Sequence, residues 1–319
     1  MSEELLLRVA RVTPLTPRVA AFTLVSAQGE ALPDWEAGAH IEIAVEPAPG
    51  VVAHRAYSLV ARAESGMACE IAVQREDEGA GGSLCMHRLQ AGDLVRAKPP
   101  ANHFALAAQA SEHLLLAGGI GITPILSMAR TLALGRGRFA LHYAARAPEL
   151  MPYREQVQAL PGSTLYFDDA EPGRGMPLDT VLAAPAAERH MYVCGPRGLV
   201  EAAVRSAQRL GWHDTNVHYE LFAGALAQNG DTAFEVECAH SGQVFVVPPD
   251  KSILDVLADH GLDPLFDCRT GSCGVCVTPL LQGTPDHRDS TLSAAERSAG
   301  DKLCICVSRA RSPRLVLDL

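Results

Sequence analysis

No run in this 319-residue chain approaches the ~18 uninterrupted apolar residues that a membrane span needs. The opening MSEELLLRVARV has no basic segment followed by a long apolar one, so no secretory signal is expected. Positive charge is in deficit: 27 Lys and Arg against 37 Asp and Glu give a net charge of −10. That balance argues against a nucleic-acid binder, which carries a basic patch or stripe. G-x-S-x-G, H-E-x-x-H and G-x-x-x-x-G-K-[ST] are all missing, which removes the usual support for hydrolase, zinc-protease and NTPase chemistry. There is no internal repeat and no low-complexity tract. What is there, 48% hydrophobic and 20% charged residues, fills two or three cores and excludes a disordered or fibrous chain. The expectation is a soluble, cytoplasmic, multi-domain protein with neither a membrane nor a nucleic acid as partner.

Nine cysteines make an odd number, and nothing routes the chain to an oxidising compartment, so a disulfide framework is a poor reading. Cys69, Cys85 and Cys194 are scattered, whereas Cys238, Cys268, Cys273, Cys276, Cys304 and Cys306 crowd the last quarter. Within that crowd, Cys268-Arg-Thr-Gly-Ser-Cys273-Gly-Val-Cys276 is a C-x4-C-x2-C run with further cysteine near residue 305. This is the plant-type spacing for a 2Fe–2S cluster. Three thiolates on one tight loop wrap one side of the cluster, and a fourth from a distant strand closes it. Gly271 and Gly274 let backbone N–H groups approach the sulfides. The alternative, a structural zinc site, favours paired C-x2-C units. Cys304 and Cys306, two apart on an expected strand, would face the same way, so periodicity does not choose between them as fourth ligand.

Along the chain, residues 5–105 read as short strands with turn chemistry between them: VAAFTLVSA, HIEIAV, RAYSLV, ACEIAV and DLVRAKP. An antiparallel β-barrel is expected. From residue 108, strands HLLLAGG, FALHYAAR, STLYFDD, HMYVCGP and VHYELF alternate with helices TPILSMARTLALG, REQVQAL, LDTVLAA and GLVEAAVRSAQRLG. That grammar predicts an α/β doubly wound parallel sheet. AGALAQNGDTA, residues 223–233, is the linker candidate. Beyond it, FEVECAH and QVFVV pair around Ser241-Gly242. SILDVLADH is a helix capped by Ser252 and stopped by Gly261, and the strands LCICVSRA and RLVLDL complete a small α+β unit.

Two further groups of residues carry chemistry. Arg55-Ala56-Tyr57-Ser58 on a barrel strand offers a cation for a phosphate, a ring beside a flat cofactor and a hydroxyl for its edge. About 25 residues on, Gly79-Ala80-Gly81-Gly82-Ser83 leads into LCMHRL, a helix start with free N–H groups for a phosphate. The alternative is an ordinary half-buried strand and a tight turn. Next, Gly118-Gly119-Ile120-Gly121-Ile122-Thr123-Pro124 joins a buried strand to a helix, with Thr123 suited to the N-cap and Pro124 to the first helical position. Cys194-Gly195-Pro196 lies at an equivalent strand end, and together the two turns can flank one nucleotide. Tyr166-Phe167-Asp168-Asp169 ends another strand, where a carboxylate can hydrogen-bond the adenine ribose and repel a 2′-phosphate. NADH is therefore expected over NADPH. The twelve histidines look scattered, each a surface or packed residue.

These residues in this order resemble the phthalate dioxygenase reductase family, within the wider ferredoxin–NADP reductase group, along essentially the whole chain. Cys306-Val307-Ser308-Arg309 resembles the final-ligand segment of plant-type ferredoxins, and the 29 residues between Cys276 and Cys306 suit that family. The resemblance implies a cluster on Cys268, Cys273, Cys276 and Cys306, with Cys304 a packed neighbour. It implies FMN at Arg55, Ala56, Tyr57, Ser58, Gly81, Gly82 and Ser83. NADH is implied at Gly118, Gly119, Gly121, Thr123, Asp168, Cys194, Gly195 and Pro196. Glu220 and Phe222 match the segment that lies against the flavin. Ala80 and Ala101 stand where that family often has Arg, so FMN rather than FAD rests on domain order. The implied division is an FMN barrel over 1–106, an NAD domain over 107–225 and a β-grasp ferredoxin domain over 226–319. The implied activity passes electrons from NADH through FMN and the 2Fe–2S cluster to a separate Rieske-type oxygenase. Ser58, Thr123, Cys194, Glu220 and Phe222 act as positioning residues, and no general base is needed. Two alternatives use other chemistry: a reductase of free flavin or small acceptors without an oxygenase, and a non-enzymatic metal module or redox sensor.

Overall fold

The computed structural model describes residues 4–63, 65–77, 79, 81–168, 175–222, 230–266, 269, 271, 273–289 and 291–319. The chain divides into two compact units, Met1–Tyr219 and Glu220–Leu319. Among the described residues no helix is long and apolar enough to cross a membrane.

The first unit opens with β1 (Leu5–Thr16), β2 (Val19–Ser26), β3 (His40–Ala48), β4 (Val51–Arg62), β5 (Ala68–Gln74), α1 (Gly82–Arg88) and β6 (Leu94–Ala97). The strands close into an antiparallel barrel in the order β1-β2-β5-β4-β3-β6, β6 pairing with both β1 and β3. Alternation sorts the side chains. Leu59 and Ile71 point into the barrel with Leu7, Phe22 and Ile43, while their neighbours Val60 and Ala72 point out. That outer face is apolar because a helix of the following layer covers it. No single expected strand covered the twelve residues of β1, whose mixed burial blurs the alternation.

The same unit continues with β7 (Glu112–Gly118), α2 (Ile122–Leu134), β8 (Arg138–Ala145), α3 (Arg154–Gln158), β9 (Ser163–Phe167), α4 (Leu178–Val181), β10 (Arg189–Cys194), α5 (Arg197–Arg209) and β11 (Val217–Glu220). The sheet order is β11-β10-β7-β8-β9, with β10/β7, β7/β8 and β8/β9 all parallel. Successive strands add to one side of β7 and then to the other, so the switch point lies between the carboxyl ends of β7 and β10. Thr123 is not the N-cap expected of it. A 3-10 turn over Gly119–Gly121 runs directly into α2, whose N-cap is Gly121, and Thr123 donates its hydroxyl back to the Ile120 carbonyl at 3.0 Å.

The second unit contains β12 (Phe234–Cys238), β13 (Gln243–Val247), α6 (Ile253–Asp259), β14 (Val277–Gln282), β15 (Pro285–Asp286), α7 (Ala294–Ala299), β16 (Lys302–Cys304), β17 (Arg309–Ala310) and β18 (Arg314–Leu317). Its main sheet, β13-β12-β18-β14-β16, is mixed: β12 runs parallel to β18 and antiparallel to β13. Ser252 and Asp255 form a reciprocal capping box that starts α6, worth about 1 kcal/mol. Two expectations need correction. LCICVSRA is not one strand, because the chain turns at residues 305–307 between β16 and β17. Of the linker candidate, residues 223–229 lie outside the described residues, and Asp231 is no solvated spacer. Its carboxylate is buried against Arg288, whose two terminal nitrogens donate to it at 2.9 and 2.5 Å.

Candidate active site

On β4, Arg55, Tyr57 and Ser58 stand opposite Ile43, Ile41 and His40 of β3. The Arg55 side chain lies across Gly82 at the start of α1, so a Cβ there would come within 2.8 Å of Arg55 Cγ and Nε. The strand and the Gly-rich turn, far apart in sequence, thus meet through a contact that a Cβ on Gly82 would force the Arg55 side chain to give up or shift. Arg55 also donates to the His54 carbonyl at 2.9 Å. The Tyr57 hydroxyl is buried and has no hydrogen-bond partner among the described residues. Burial pushes its pKa up, against the lowering pull of Arg55, so it stays a neutral phenol. A buried hydroxyl lacking a partner is costly in a closed core and natural beside a flat polar cofactor. Ser58 is buried and Ala56 exposed. Ser83 is committed elsewhere, accepting from Glu76 N at 3.0 Å and so closing its own loop. Ala80 lies outside the described residues. These residues fit a flavin.

At the switch point, the two turns expected to flank a nucleotide are packed backbone on backbone. A Cβ on Gly121 would sit 2.3 Å from the Cys194 carbonyl oxygen, and one on Gly195 would sit 2.9 Å from Gly118 N. Gly118 also faces Pro196, whose Cδ would meet a Cβ at 2.8 Å. Tyr143, from β8, donates its hydroxyl to the Gly119 carbonyl at 2.9 Å and holds the turn from below. Thr123 and Cys194 are buried, so neither side chain offers a solvent-facing group. Asp168 follows β9 on the same carboxyl edge of the sheet, exposed, with its amide bonded to the Ala145 carbonyl at 3.3 Å. Asp169 lies outside the described residues. Glu220 ends β11, and Phe222, two residues on, is 40% exposed.

In the second unit, Cys276 and Cys306 are both buried, with their sulfurs 3.1 Å apart. A tetrahedral metal with sulfur bonds of about 2.3 Å holds two ligand sulfurs about 3.8 Å apart, so this pair needs only a small opening to share one iron. Cys304, at the end of β16, is wholly buried in the core. Its thiol is pushed strongly up by a hydrogen bond with Cys276 and by burial. Cys306 instead rides on the turn that follows, in which Ser308 N bonds the Cys304 carbonyl at 2.9 Å. That turn meets the cysteine loop directly: a Cβ on Gly271 would touch Val307 Cγ2 at 2.6 Å. Thr291 donates to the Gly271 carbonyl at 3.0 Å, and the buried Asp289 accepts from Leu292 N at 2.8 Å. No local signal marked Thr291 or Asp289 as supports of this loop. Cys273 is half-buried, and Cys268 lies outside the described residues. The thiol set that is described fits a cluster.

The histidines are less scattered than they look in sequence. His190 and His218 stack at 5.1 Å and share a 2.8 Å Nδ1···Nε2 hydrogen bond; His218 stacks on Tyr192 at 4.6 Å, and Tyr192 on His113 at 5.9 Å. All three lie on β7, β10 and β11, toward the edge opposite the nucleotide turns, and remain packing residues as expected. Burial, and then the neighbouring His190 and His113, push His218 down to about 4.

Residues 236–311 match the model of the 2Fe-2S iron-sulfur cluster binding domain. Residues 93–217 match that of the dimethylamine monooxygenase subunit DmmA-like N-terminal domain. The solved structure of phthalate dioxygenase reductase, described as a modular structure for electron transfer from pyridine nucleotides to [2Fe-2S], superposes with a TM-score of 0.76. It is 35% identical and covers 99% of this chain and 98% of its own. The chain belongs to the phthalate dioxygenase reductase-like family. This reductase is accordingly a flavin- and 2Fe–2S-dependent NAD(P)H oxidoreductase built from a flavin barrel, a nucleotide-binding sheet and a plant-type ferredoxin fold. It is 36% identical to the carnitine monooxygenase reductase subunit of Escherichia coli (strain K12), over 98% of this chain and 97% of that one. It is also 36% identical to the heme-dependent oxidative N-demethylase beta subunit of Ectopseudomonas mendocina (strain ymp), over 100% of both.

Proposed function

We propose that this reductase uses NADH and FMN and delivers electrons to a separate Rieske-type oxygenase or demethylase. The observation that carries this reading is the end-to-end match with reductase subunits, 98% of this chain against 97% of the carnitine monooxygenase subunit. When bound, the flavin accepts a hydride and releases electrons singly, and the 2Fe–2S cluster carries one electron at a time.

The chain's own residues have the following roles. Residues 1–106 hold FMN: Arg55 and the Gly81-Gly82-Ser83 turn receive its phosphate, Ala56 leaves its backbone accessible, Tyr57 flanks the ring and Ser58 reaches its edge. Residues 107–225 hold NADH. Gly118 and Gly121, with Gly119 between them, pack against Cys194, Gly195 and Pro196 to form one joined ledge at the carboxyl edge of the sheet, over which the nucleotide lies. Thr123 fixes the first of these turns, and Asp168 takes the ribose hydroxyls. Glu220 and Phe222 complete the hydride site as positioning residues. Residues 226–319 hold the cluster on Cys268, Cys273, Cys276 and Cys306. No side chain acts as a general base, because a hydride passes between aligned rings without one.

Extracted flavin identified as FMN, with iron and acid-labile sulfide in equal amounts and NADH-driven turnover of a reconstituted Rieske oxygenase, is the expected result. FAD on extraction would overturn the FMN assignment. The match with the E. mendocina subunit favours a second reading, in which the electron acceptor is a haem-dependent demethylase. Parallel reconstitution with a haem N-demethylase catalytic subunit separates the two.

A further inference from the structure

Two side chains outside every motif above tie α2 and α3 of the nucleotide-binding layer to barrel strands β4 and β5. Arg130, in α2, donates one terminal guanidinium nitrogen to the Val60 carbonyl of β4 at 3.0 Å, two residues past Ser58. Its other terminal nitrogen donates to Gln156 Oε1 of α3 at 2.5 Å. Tyr153, the N-cap of α3, is 5% exposed and donates its hydroxyl to Glu70 Oε1 of β5 at 3.0 Å. Tyr153 also holds φ at +58°, a left-handed conformation that bulky residues avoid unless their surroundings fix them there. Around these bonds, Val60 and Ala72 of the barrel share one apolar core with Leu126 and Ala129 of α2.

We propose that Arg130 and Tyr153 are positioning residues for hydride transfer, locking α2 and α3 to β4 and β5 so that the nucleotide turn meets the flavin strand at one fixed height. The proposal rests on the flavin and nucleotide seats argued above. Hydride transfer moves one hydrogen nucleus with its electron pair from the dihydronicotinamide ring to the flavin, leaving the oxidised nucleotide and the two-electron-reduced flavin. It requires reacting atoms about 3–3.5 Å apart, and a 1 Å error can cost about 100-fold. Arg130 lies eight residues beyond Ile122, about 12 Å along the helix. A tilt of only about 5° at that end displaces the turn by about 1 Å, the scale on which the rate responds. Arg130 is thus placed to control the angle of α2, while Tyr153 controls the segment beside it.

The test compares Arg130→Ala, Arg130→Lys and Tyr153→Phe as flavin- and cluster-loaded proteins. Anaerobic stopped-flow mixing with NADH separates the Kd from the limiting rate of flavin reduction. The long-wavelength charge-transfer absorbance of NAD+ with the reduced flavin reports ring alignment at equilibrium, without turnover. Arg130→Ala should lower the limiting rate roughly 10- to 100-fold and Tyr153→Phe about threefold or more, each with Kd changed less than about threefold. The charge-transfer band should weaken or shift, and ferricyanide reoxidation of the photoreduced protein should not change. Arg130→Lys, which keeps one donor for the Val60 carbonyl, should recover most of the rate. Should Arg130→Ala fail to fold, Tyr153→Phe alone decides. Limiting rates within twofold of the parent with an unaltered charge-transfer band would overturn the proposal, as would a loss confined to Kd. Failure of the underlying site reading has a different signature, since Arg55→Ala would then leave flavin content unchanged.

Discussion

Replacing Gly121 with alanine tests the nucleotide seat at its tightest point. Gly121 has φ −61° and ψ −6°, ordinary helical values, so alanine brings no backbone strain and the cost is entirely steric. The new Cβ would lie 2.3 Å from the Cys194 carbonyl oxygen, 2.4 Å from its carbon and 2.5 Å from Gly195 N. All three are backbone atoms at the carboxyl end of β10, whose pairing with β7 runs to Cys194, so no side chain can swing aside. Restoring van der Waals contact requires the two turns to part by about 1 Å. Overpacking of this kind costs about 1–3 kcal/mol, which in a unit of this size lowers Tm by a few degrees. A displacement of about 1 Å at the nucleotide should lower kcat/KM for NADH on the order of 100-fold. NADH-dependent ferricyanide reduction measures the loss, and ferricyanide reoxidation of photoreduced protein, which bypasses the nucleotide, should stay at the parent rate. Parent-like kcat/KM for NADH in a folded Gly121→Ala protein would refute the placement of the nucleotide over these joined turns.

Three further outcomes are expected. Cys306→Ser should lose the 2Fe–2S signal in EPR of the reduced protein and its iron, because a serine hydroxyl is a poor substitute for a thiolate, whereas Cys304→Ser should keep both; both variants should still reduce ferricyanide with NADH, and the opposite EPR pattern would make Cys304 the ligand. Asp168→Ser should narrow the preference for NADH over NADPH about fivefold, the ~1 kcal/mol that an exposed charge exerts on a phosphate about 4 Å away; unchanged steady-state ratios would remove Asp168 from the ribose site. Stability should fall as pH drops below about 6.5 and continue falling toward pH 4, because His218 is held down to about 4 when folded and the unfolded chain takes up its proton first. Allowing for partial exposure, the loss is about 1–2 kcal/mol; His190 and His113, both pushed down mainly by burial, act in the same direction. His218→Gln should flatten the fall in thermal melts across that range.

What the sequence disclosed follows from which interactions are local. The alternation of β7 through β11 with helices was readable because each buried strand and amphipathic helix carries its own period. Ser252 was identifiable as a cap because its partner Asp255 is three residues away. The failures have the opposite character. Leu303 to Val307 is a continuous apolar run that reads like a buried strand, yet the backbone turns after Cys304, a bend set by packing against the cysteine loop and invisible to periodicity. Thr123 and Pro124 looked like a helix start because Pro favours the first turn in general; the 3-10 turn at Gly119–Gly121 moved the start two residues earlier. Asp231 read as linker on composition, while the arginine that buries it is 57 residues away. Arg130 and Tyr153 left no trace, since their partners Val60 and Glu70 are 70 and 83 residues distant and no local pattern specifies either bond.

The division of the cores matches the two kinds of transfer the family's chemistry requires. A hydride carries a nucleus, so donor and acceptor must be in contact and aligned within a fraction of an ångström. The barrel's outer residues Val60 and Ala72 accordingly belong to the same core as Leu126 and Tyr143 of the nucleotide-binding layer, and polar bonds from Arg130 and Tyr153 reinforce that joint. An electron carries no nucleus, and its transfer sets no such contact requirement. The ferredoxin fold has its own core, built on Val236, Leu254, Leu303 and Leu315, and its own buried ion cluster of Arg288 with Asp231 and Asp286. Removing Asp231 takes the acceptor from both terminal nitrogens of Arg288 and leaves it, among the described residues, only Asp286 at Nε, at a cost of about 1.5–3 kcal/mol. Asp231→Ala should therefore destabilise the ferredoxin unit and its cluster while leaving NADH-dependent ferricyanide reduction intact. Loss of both activities together would show that the two kinds of transfer depend on one shared scaffold.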